Sequence, residues 1–420
     1  MALGLGVVLA VHSTYAAEPG ALRVTLDEAL AMMRRQNPEV LAEALKVSAA
    51  GGDTQTARLL PNPTLSASVG NLPLGRTNPP GLSADHTIVS QVALAEELQL
   101  WGRRRARIEA ALGRQAEVAA ERADLDRQLA FAVRTAFTAL ALADERVRLG
   151  HQTLDEYRET VRVSEARAHN GEISPAEHDK IQLEQRTVEH ELDDADLARR
   201  QAVATLVPLL GTDAVDVEAV GQPPLPPVPD DAEPLVAEAL ARRPDLVAAT
   251  RTIDATEAAL RQARAERWPD PTVGVAYGHS EFTVSGDLRN QIGATLSLPL
   301  PVFDRNQGVI QRAAAEAMIA HHEADKLRLT IPQEVRTALK TYAVARARVR
   351  RFEDQFLAQS REARHAAEVA YREGTVGLLE FLEAERTYIQ TARDHLDALL
   401  DAHTANFDLT RAAALEVSAP

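Results

Sequence analysis

The sequence predicts a mainly α-helical protein with a small β part, built twice over from one plan: a helix, a β-hairpin and a very long antiparallel helical hairpin. Three observations carry this reading. "PNPTLSASVG" at 61–70 returns as "PDPTVGVAYG" at 269–278. The stretches from Gly102 to Asn170 and from Asp304 to Arg372 are almost free of helix breakers. Aromatic residues make up only 4% of a chain that is 45% hydrophobic, so the apolar content is largely alanine, leucine and valine, which suits close contact between helices.

The echo extends beyond the decapeptide. "TLDEALAMMRRQNPEVLAEAL" (25–45) is answered by "LVAEALARRPDLVAAT" (235–250). "LQLWGRRRARIEAAL" (98–112) and "LPVFDRNQGVIQRAAA" (300–315) set Trp101 against Phe303 and Ile108 against Ile310. "ARAHNGEIS" (166–174) and "VAYREGTVG" (369–377) set Gly171 against Gly374. Landmarks in one order define a first repeat, 25–210, and a second, 235–415. Between them, the prolines of "GTDAVDVEAVGQPPLPPVPDDAEP" (211–234) read as a linker.

Taken in order, residues 1–17 read as a signal peptide, with an apolar run from Leu3 to Val11 before the small residues Thr14 and Ala16. Thr25 and Glu28 stand at capping-box spacing and open a helix of roughly 30 residues. That helix runs to the Pro-x-Pro, because proline lacks an amide and disfavours helix in the residue before it. Pro61 and Pro63, and Pro269 and Pro271, are therefore helix-to-strand joints. Alternating patterns follow, giving β-hairpins at about 64–100 and 272–300 with strands near the roughly ten residues of a tilted membrane strand. On the strands alone, two hairpins of a small soluble sheet are the better reading; the helices shift that balance.

Leu125, Leu129, Val133, Ala136 and Leu140 recur as a coiled-coil seam. A helix of about 65 residues would be roughly 100 Å long, far beyond an ordinary globular helix. Its counterpart runs from Asp304 to Arg372, with a kink expected at Pro332. The hairpin tips fall near 168–176 and 371–379, where Gly171 and Gly374 stop one helix; Ser174, Pro175 and Glu177 cap the next.

The net charge of -15 argues against a nucleic-acid partner and is compatible with a conduit that attracts cations. With no cysteine, disulfides, thiol nucleophiles and thiolate metal sites are excluded. There is no phosphate loop, nucleophile elbow or metal-ligand spacing, so no catalytic, cofactor or metal site is predicted and the protein is not an enzyme. His321, His322 and Glu323 are adjacent on a helix and point in different directions, as on a solvated face. Beyond the signal there is no apolar stretch of about 20 residues, so entry into a membrane would have to be as a β-barrel. Four strands cannot close a barrel, and open edges are not tolerated in lipid; three copies would supply twelve strands. A soluble periplasmic coiled-coil scaffold is the remote alternative.

With "LPNPTLSASVGN", "LQLWGRRRARIEAA" and "LPLPVFDRNQGVIQRAAA", the chain resembles the TolC-like outer-membrane efflux factors from about 25 to 415. It is most similar to their heavy-metal, cobalt-zinc-cadmium subfamily. The resemblance implies a homotrimer in the outer membrane of a Gram-negative bacterium, with a twelve-stranded barrel in lipid and an α-helical tunnel through the periplasm. It implies a periplasmic adaptor protein and an inner-membrane resistance-nodulation-division (RND) pump as partners, and a passive exit for heavy-metal cations; export of drugs or other small molecules is the alternative.

The resemblance also assigns Arg167, Gly171, Glu177, Tyr371 and Gly374 to the tips that dock the adaptor or hold the entrance closed. Glu380 and Glu383 fall at the entrance. Three residues apart, they share a helix face and in a trimer would form a ring of carboxylates. Where the drug channels have an arginine two residues past the second-tip glycine, this chain has Val376, so that closed-state ion pair cannot form. Arg103, Arg104 and Arg105 either snorkel to the membrane interface or solvate a helix start. Trp101 and Phe303 read as interfacial aromatics or as packing below the barrel.

Overall fold

A computed structural model describes residues 21–76, 80–281 and 288–415; the signal peptide read at 1–17 lies outside them. The first repeat forms β1 (Leu22–Val24), α1 (Leu26–Gln36), α2 (Pro38–Arg58), β2 (Thr64–Gly70), the short α3 (Ala84–Thr87), β3 (Val89–Glu97), α4 (Arg103–His169) and α5 (Pro175–Leu210). After β4 (Val217–Ala219) the second repeat forms α6 (Glu233–Arg242), α7 (Pro244–Ala265), β5 (Thr272–Ser280), β6 (Asn290–Ser297) and α8 (Gln307–Arg351). A π-helical turn (Phe352–Phe356), α9 (Leu357–Arg372) and α10 (Leu378–Ala413) complete it. The chain divides into two compact units, one of Met1–Ala42, Leu125–Arg243 and Ile331–Pro420, the other of Glu43–Asp124 and Pro244–Thr330.

In the first unit, Thr25 and Glu28 form the capping box: the Thr25 amide donates to the Glu28 carboxylate at 2.8 Å, and the Glu28 amide donates to Thr25 Oγ1 at 3.4 Å. The α4 seam is buried. Leu129, Val133, Ala136 and Leu140 pack with Phe137 against Met33, Leu206 and Leu210 in one apolar core, each large side chain contributing about 1.5–3 kcal/mol. The segment 211–234 is not all linker. Val217–Ala219 pairs in parallel with Leu22–Val24, and Val217 is fully buried.

The single opening helix expected from Thr25 to the Pro-x-Pro is instead two. Asn37 is extended (ψ 123°) ahead of Pro38, and Arg243 has the same ψ ahead of Pro244. The cause is the clash of the proline ring with the preceding backbone, which acts at Pro38 as it does at Pro61. Asn37 bridges the break: its Oδ1 accepts the Glu39 amide at 2.8 Å and its Nδ2 donates to the Leu209 carbonyl at 3.0 Å. In the second repeat the buried Arg243 takes this place, donating to Glu334 at 2.6 Å and to the Ala412 carbonyl at 3.4 Å. The helix in which a kink is expected at Pro332 is continuous through that residue to Arg351. A π turn follows it, where Phe352 turns inward against the edge of Phe356, ring centres 5.5 Å apart.

In the second unit the two hairpins are one antiparallel sheet, ordered β2-β3-β5-β6. The repeats meet along β3 and β5, in register from Val89↔Ser280 to Glu97↔Thr272. β2 and β6 are left as its edges.

Candidate functional site: the sheet and the helical tips

The register sorts the sheet into two unlike faces. On one, Leu65, Leu94, Val275 and Ala294 lie in a row across all four strands, beside the row Ala67, Val92, Tyr277 and Ile292. This face is solvent-exposed in the single chain, with Leu65 at 71%, Val275 at 57% and Ile292 at 85%. The opposite face carries Ser66, Ala93, Ala276 and Gly293, then Ser68, Gln91, Gly278 and Gln291. An apolar band across one face, bounded by Ser90, His279 and Asn290 at one end and Glu96 at the other, with small and polar residues behind it, suits contact with lipid outside and water inside. Among the described residues no helix is long and apolar enough to cross a membrane.

The proline pairs stand at the joints. α2 ends at Arg58 and α7 at Ala265, and each strand starts at the threonine after the second proline, Thr64 or Thr272. Asp270, between Pro269 and Pro271, is buried and accepts the Leu100 amide at 2.9 Å and Arg103 Nη1 at 2.8 Å. Arg103 therefore neither reaches for the interface nor merely solvates its helix; it pins the β3 end to the start of β5. Arg104 donates to the Arg58 carbonyl at 2.7 Å, closing the end of α2, while Arg105 pairs with Glu109 at 2.8 Å. Trp101 and Phe303 are both exposed, and Trp101 stands 6.3 Å from Trp268.

At both tips a glycine in the left-handed region (φ +74° at Gly171 and Gly374) ends the descending helix. Ser174 caps α5, accepting the Glu177 amide at 3.2 Å while its own amide donates to the Glu177 carboxylate at 2.9 Å. Two of the tip residues singled out from the sequence come together. Arg167 lies over the Tyr371 ring, 5.5 Å from its centre, and bonds Glu172 at 3.2 Å. Tyr371 stacks on Phe381, 5.2 Å apart with 7° between planes. Burial pushes the Tyr371 hydroxyl pKa up; Arg167 opposes the rise and Glu177 adds to it. Glu380 and Glu383 are both exposed on α10. His321 bonds Glu257 at 3.1 Å, and no cluster of three metal-ligating side chains exists among the described residues.

What tied the tips was not foreseen. Arg364 of α9 reaches Glu156 of α4 and, at 2.8 Å, Glu385 of α10, while stacking over Tyr388. Glu385 is buried and its pKa is raised by desolvation, with Arg364 opposing the rise. Above it Arg386 pairs with Glu184, and Arg393 with Glu191 at 2.5 Å, both spanning 202 residues. The second repeat supplies every arginine of this ladder and the first most of the carboxylates. Beneath lies an apolar layer of Leu154, Tyr157, Ile181, Leu378, Phe381 and Leu382. The sequence signal was the seven-residue spacing shared by Glu184 and Glu191 and by Arg386 and Arg393, which sets each pair on one helix stripe.

With this geometry in view, comparison with known proteins is direct. The model of the outer membrane efflux protein family matches residues 29–212 and 235–415. The chain belongs to that family. It is an outer-membrane protein of the Gram-negative type, and not an enzyme. It is 28% identical over 393 residues to the cobalt-zinc-cadmium resistance protein CzcC of Cupriavidus metallidurans, covering 92% of this chain and 89% of the relative. The nickel and cobalt resistance protein CnrC of the same organism is 26% identical over 80% of this chain and 77% of its own length. The pyoverdine export outer membrane protein OpmQ of Pseudomonas putida is 34% identical over 36% of this chain and 33% of its own. Among solved structures, a membrane protein from Pseudomonas aeruginosa shares the fold with a TM-score of 0.77 at 22% identity, over 92% of both chains.

Proposed function

We propose that three copies of this chain join their sheets into a twelve-stranded barrel in outer-membrane lipid, continued by a helical tunnel in the periplasm. In this reading the protein is the passive exit duct of a tripartite RND-type efflux system, fed by an inner-membrane pump through a periplasmic adaptor, and its cargo is heavy-metal cations. The carrying observation is the four-stranded sheet with an apolar band across one face and two edges that no strand pairs among the described residues, which lipid and neighbouring copies would satisfy together. Similarity to CzcC over nearly the whole chain supports the metal cargo.

The tips Arg167, Gly171, Glu177, Tyr371 and Gly374 dock the adaptor, and Glu380 and Glu383 line the entrance, six carboxylates about one axis that favour cations. Neutralising both glutamates shifts the reversal potential of single channels toward lower cation selectivity; an unchanged potential removes the ring. For the cargo, a deletion strain is grown against zinc, cobalt, cadmium, nickel, copper, silver and a panel of drugs. Hypersensitivity to the metals supports the reading. Hypersensitivity confined to organic compounds supports the second reading, small-molecule export, which similarity to the pyoverdine exporter favours.

A further inference from the structure

Where the two repeats meet inside one chain, the joint is closed by three donors. The Leu98 amide donates to the Pro271 carbonyl at 2.9 Å, the Leu100 amide to Asp270 Oδ1 at 2.9 Å, and Arg103 to Asp270 Oδ2 at 2.8 Å. The hairpin registers give each of these groups a counterpart. Ala95 faces Thr64 in the first hairpin and Ser297 faces Thr272 in the second, so β3 maps onto β6 by 297 − 95 = 202 residues and β2 onto β5 by 272 − 64 = 208. Under these shifts Leu98, Leu100 and Arg103 become Leu300, Val302 and Arg305, while Asp270 and Pro271 become Asn62 and Pro63.

These counterparts sit beside β6 and β2, the opposite edges of the sheet, and cannot pair with each other within one chain. Asn62 and the Arg305 guanidinium are exposed and make no hydrogen bond or ion pair among the described residues. The Val302 amide turns back on the Leu300 carbonyl at 2.8 Å. Pro299 does not disturb the edge. It occupies the place of Glu97, next to Leu98, and because strand amides alternate in direction, the residue beside an outward donor has no amide to give on that side.

We propose that the joint is repeated between subunits: Leu300 donates to the carbonyl of the partner's Pro63, and Val302 and Arg305 donate to the side-chain oxygen of the partner's Asn62. The inference rests on the assembly of copies proposed above and adds which groups close its seam. It also makes the two kinds of seam unequal. Inside a chain the acceptor is a buried carboxylate; between chains it is an amide, and a neutral acceptor is weaker than a charged one by about fivefold in the equilibrium constant. The barrel would thus come apart between subunits before it came apart within one.

The test uses full-length protein extracted from outer membranes, with the trimer–monomer equilibrium read on semi-native gels across a temperature series. Asn62→Asp, which copies the inner joint onto the outer one, moves the equilibrium toward trimer by about fivefold per seam. Arg305→Gln moves it the other way. In the Arg305→Gln background the gain from Asn62→Asp is smaller, since only the Val302 amide is left to meet the carboxylate, and the non-additivity is the mark of a direct contact. A second readout exploits the absence of native cysteine. A bismaleimide links Asn62→Cys/Arg305→Cys protein into covalent oligomers, and links Arg103→Cys/Asp270→Cys protein only within each chain. An equal gain from Asn62→Asp with or without Arg305, or an intact trimer that the first cysteine pair never links, overturns the joint and leaves the channel standing. Recovery of the wild-type chain as a soluble monomer or dimer overturns the assembly itself.

Discussion

The two repeats follow the same path and hold it with different chemistry. At the joints, Asp270 is buried and bonded to Arg103, whereas Asn62 is exposed. At the tips, α5 begins with Ser174 in a full capping box, whereas α10 begins at Gly377 with no side-chain cap. At the far ends of these helices, α5 stops at Gly211 and α10 at Ala414, both in the left-handed region. Of the ion pairs between the hairpins, those of Arg364, Arg386 and Arg393 take the arginine from the second repeat, and that of Arg146 with Asp397 takes it from the first. The difference teaches that duplication copies the backbone solution, while each side chain answers to whatever packs against it, and the two copies have different neighbours.

The largest effect expected is at Arg364. Replacing it with methionine strands Glu385, which is 5% exposed, and lowers unfolding free energy by about 3 kcal/mol in urea titrations. Arg386→Gln, at a side chain 60% exposed, costs less than about 1 kcal/mol. Equal losses at the two positions would erase the distinction between a buried pin and a surface rung.

The next test concerns His403, which is buried in α10, while Arg200, its counterpart in α5 by the 203-residue shift that relates Gly211 to Ala414, is exposed. Burial, with Arg346 nearby, pushes the His403 pKa down to about 4. A folded pKa below the unfolded one keeps the ring neutral in the fold, so its contribution is whole above the unfolded pKa of about 6.5 and is lost as pH falls toward 4. By pH 5 the loss is about 2 kcal/mol. His403→Leu should flatten this limb of a melting-temperature profile against pH; a profile of unchanged slope assigns the acid sensitivity elsewhere.

Of similar size is the contrast between the two helix ends. Gly211 has φ +71°, and a Cβ there would meet the Gln36 backbone at 2.5 Å, so Gly211→Ala costs about 2 kcal/mol or more. Ala414 already bears the left-handed strain at φ +53°, and Ala414→Gly relieves about 1 kcal/mol. Opposite signs in calorimetry are the expected outcome. The smallest effects are at the caps: Ser174→Ala costs about 1 kcal/mol, and Gly377→Ser gains a few tenths, in the same thermal unfolding assay.

Much of the architecture was readable in residue order. The joints, the Thr25 and Ser174 caps, the α4 seam and the tip glycines all act within a few residues, and the structure has each where its local rule puts it. The break at Asn37 obeys the same proline rule but was masked by apolar residues continuing on both sides of Pro38. The pairing of Leu22–Val24 with Val217–Ala219 escaped because three residues are too few to show alternation, and its second strand sits in a proline-rich segment. Of the tip residues, Arg167 and Tyr371 were named before their contact was known. Arg364 and Glu385 were not, since a charged residue on a long helix reads as solvated until a facing helix buries it.

Residue order alone therefore established the duplication, the element types and the turning points, because prolines, glycines, caps and hydrophobic period are properties of short segments. Which elements meet was left to the tertiary structure: that β3 lies beside β5, that Asp270 takes Arg103, and that Arg364 sits between Glu156 and Glu385. A hydrogen bond or ion pair has little value to the fold until burial removes competing water, and burial depends on partners far away in the chain.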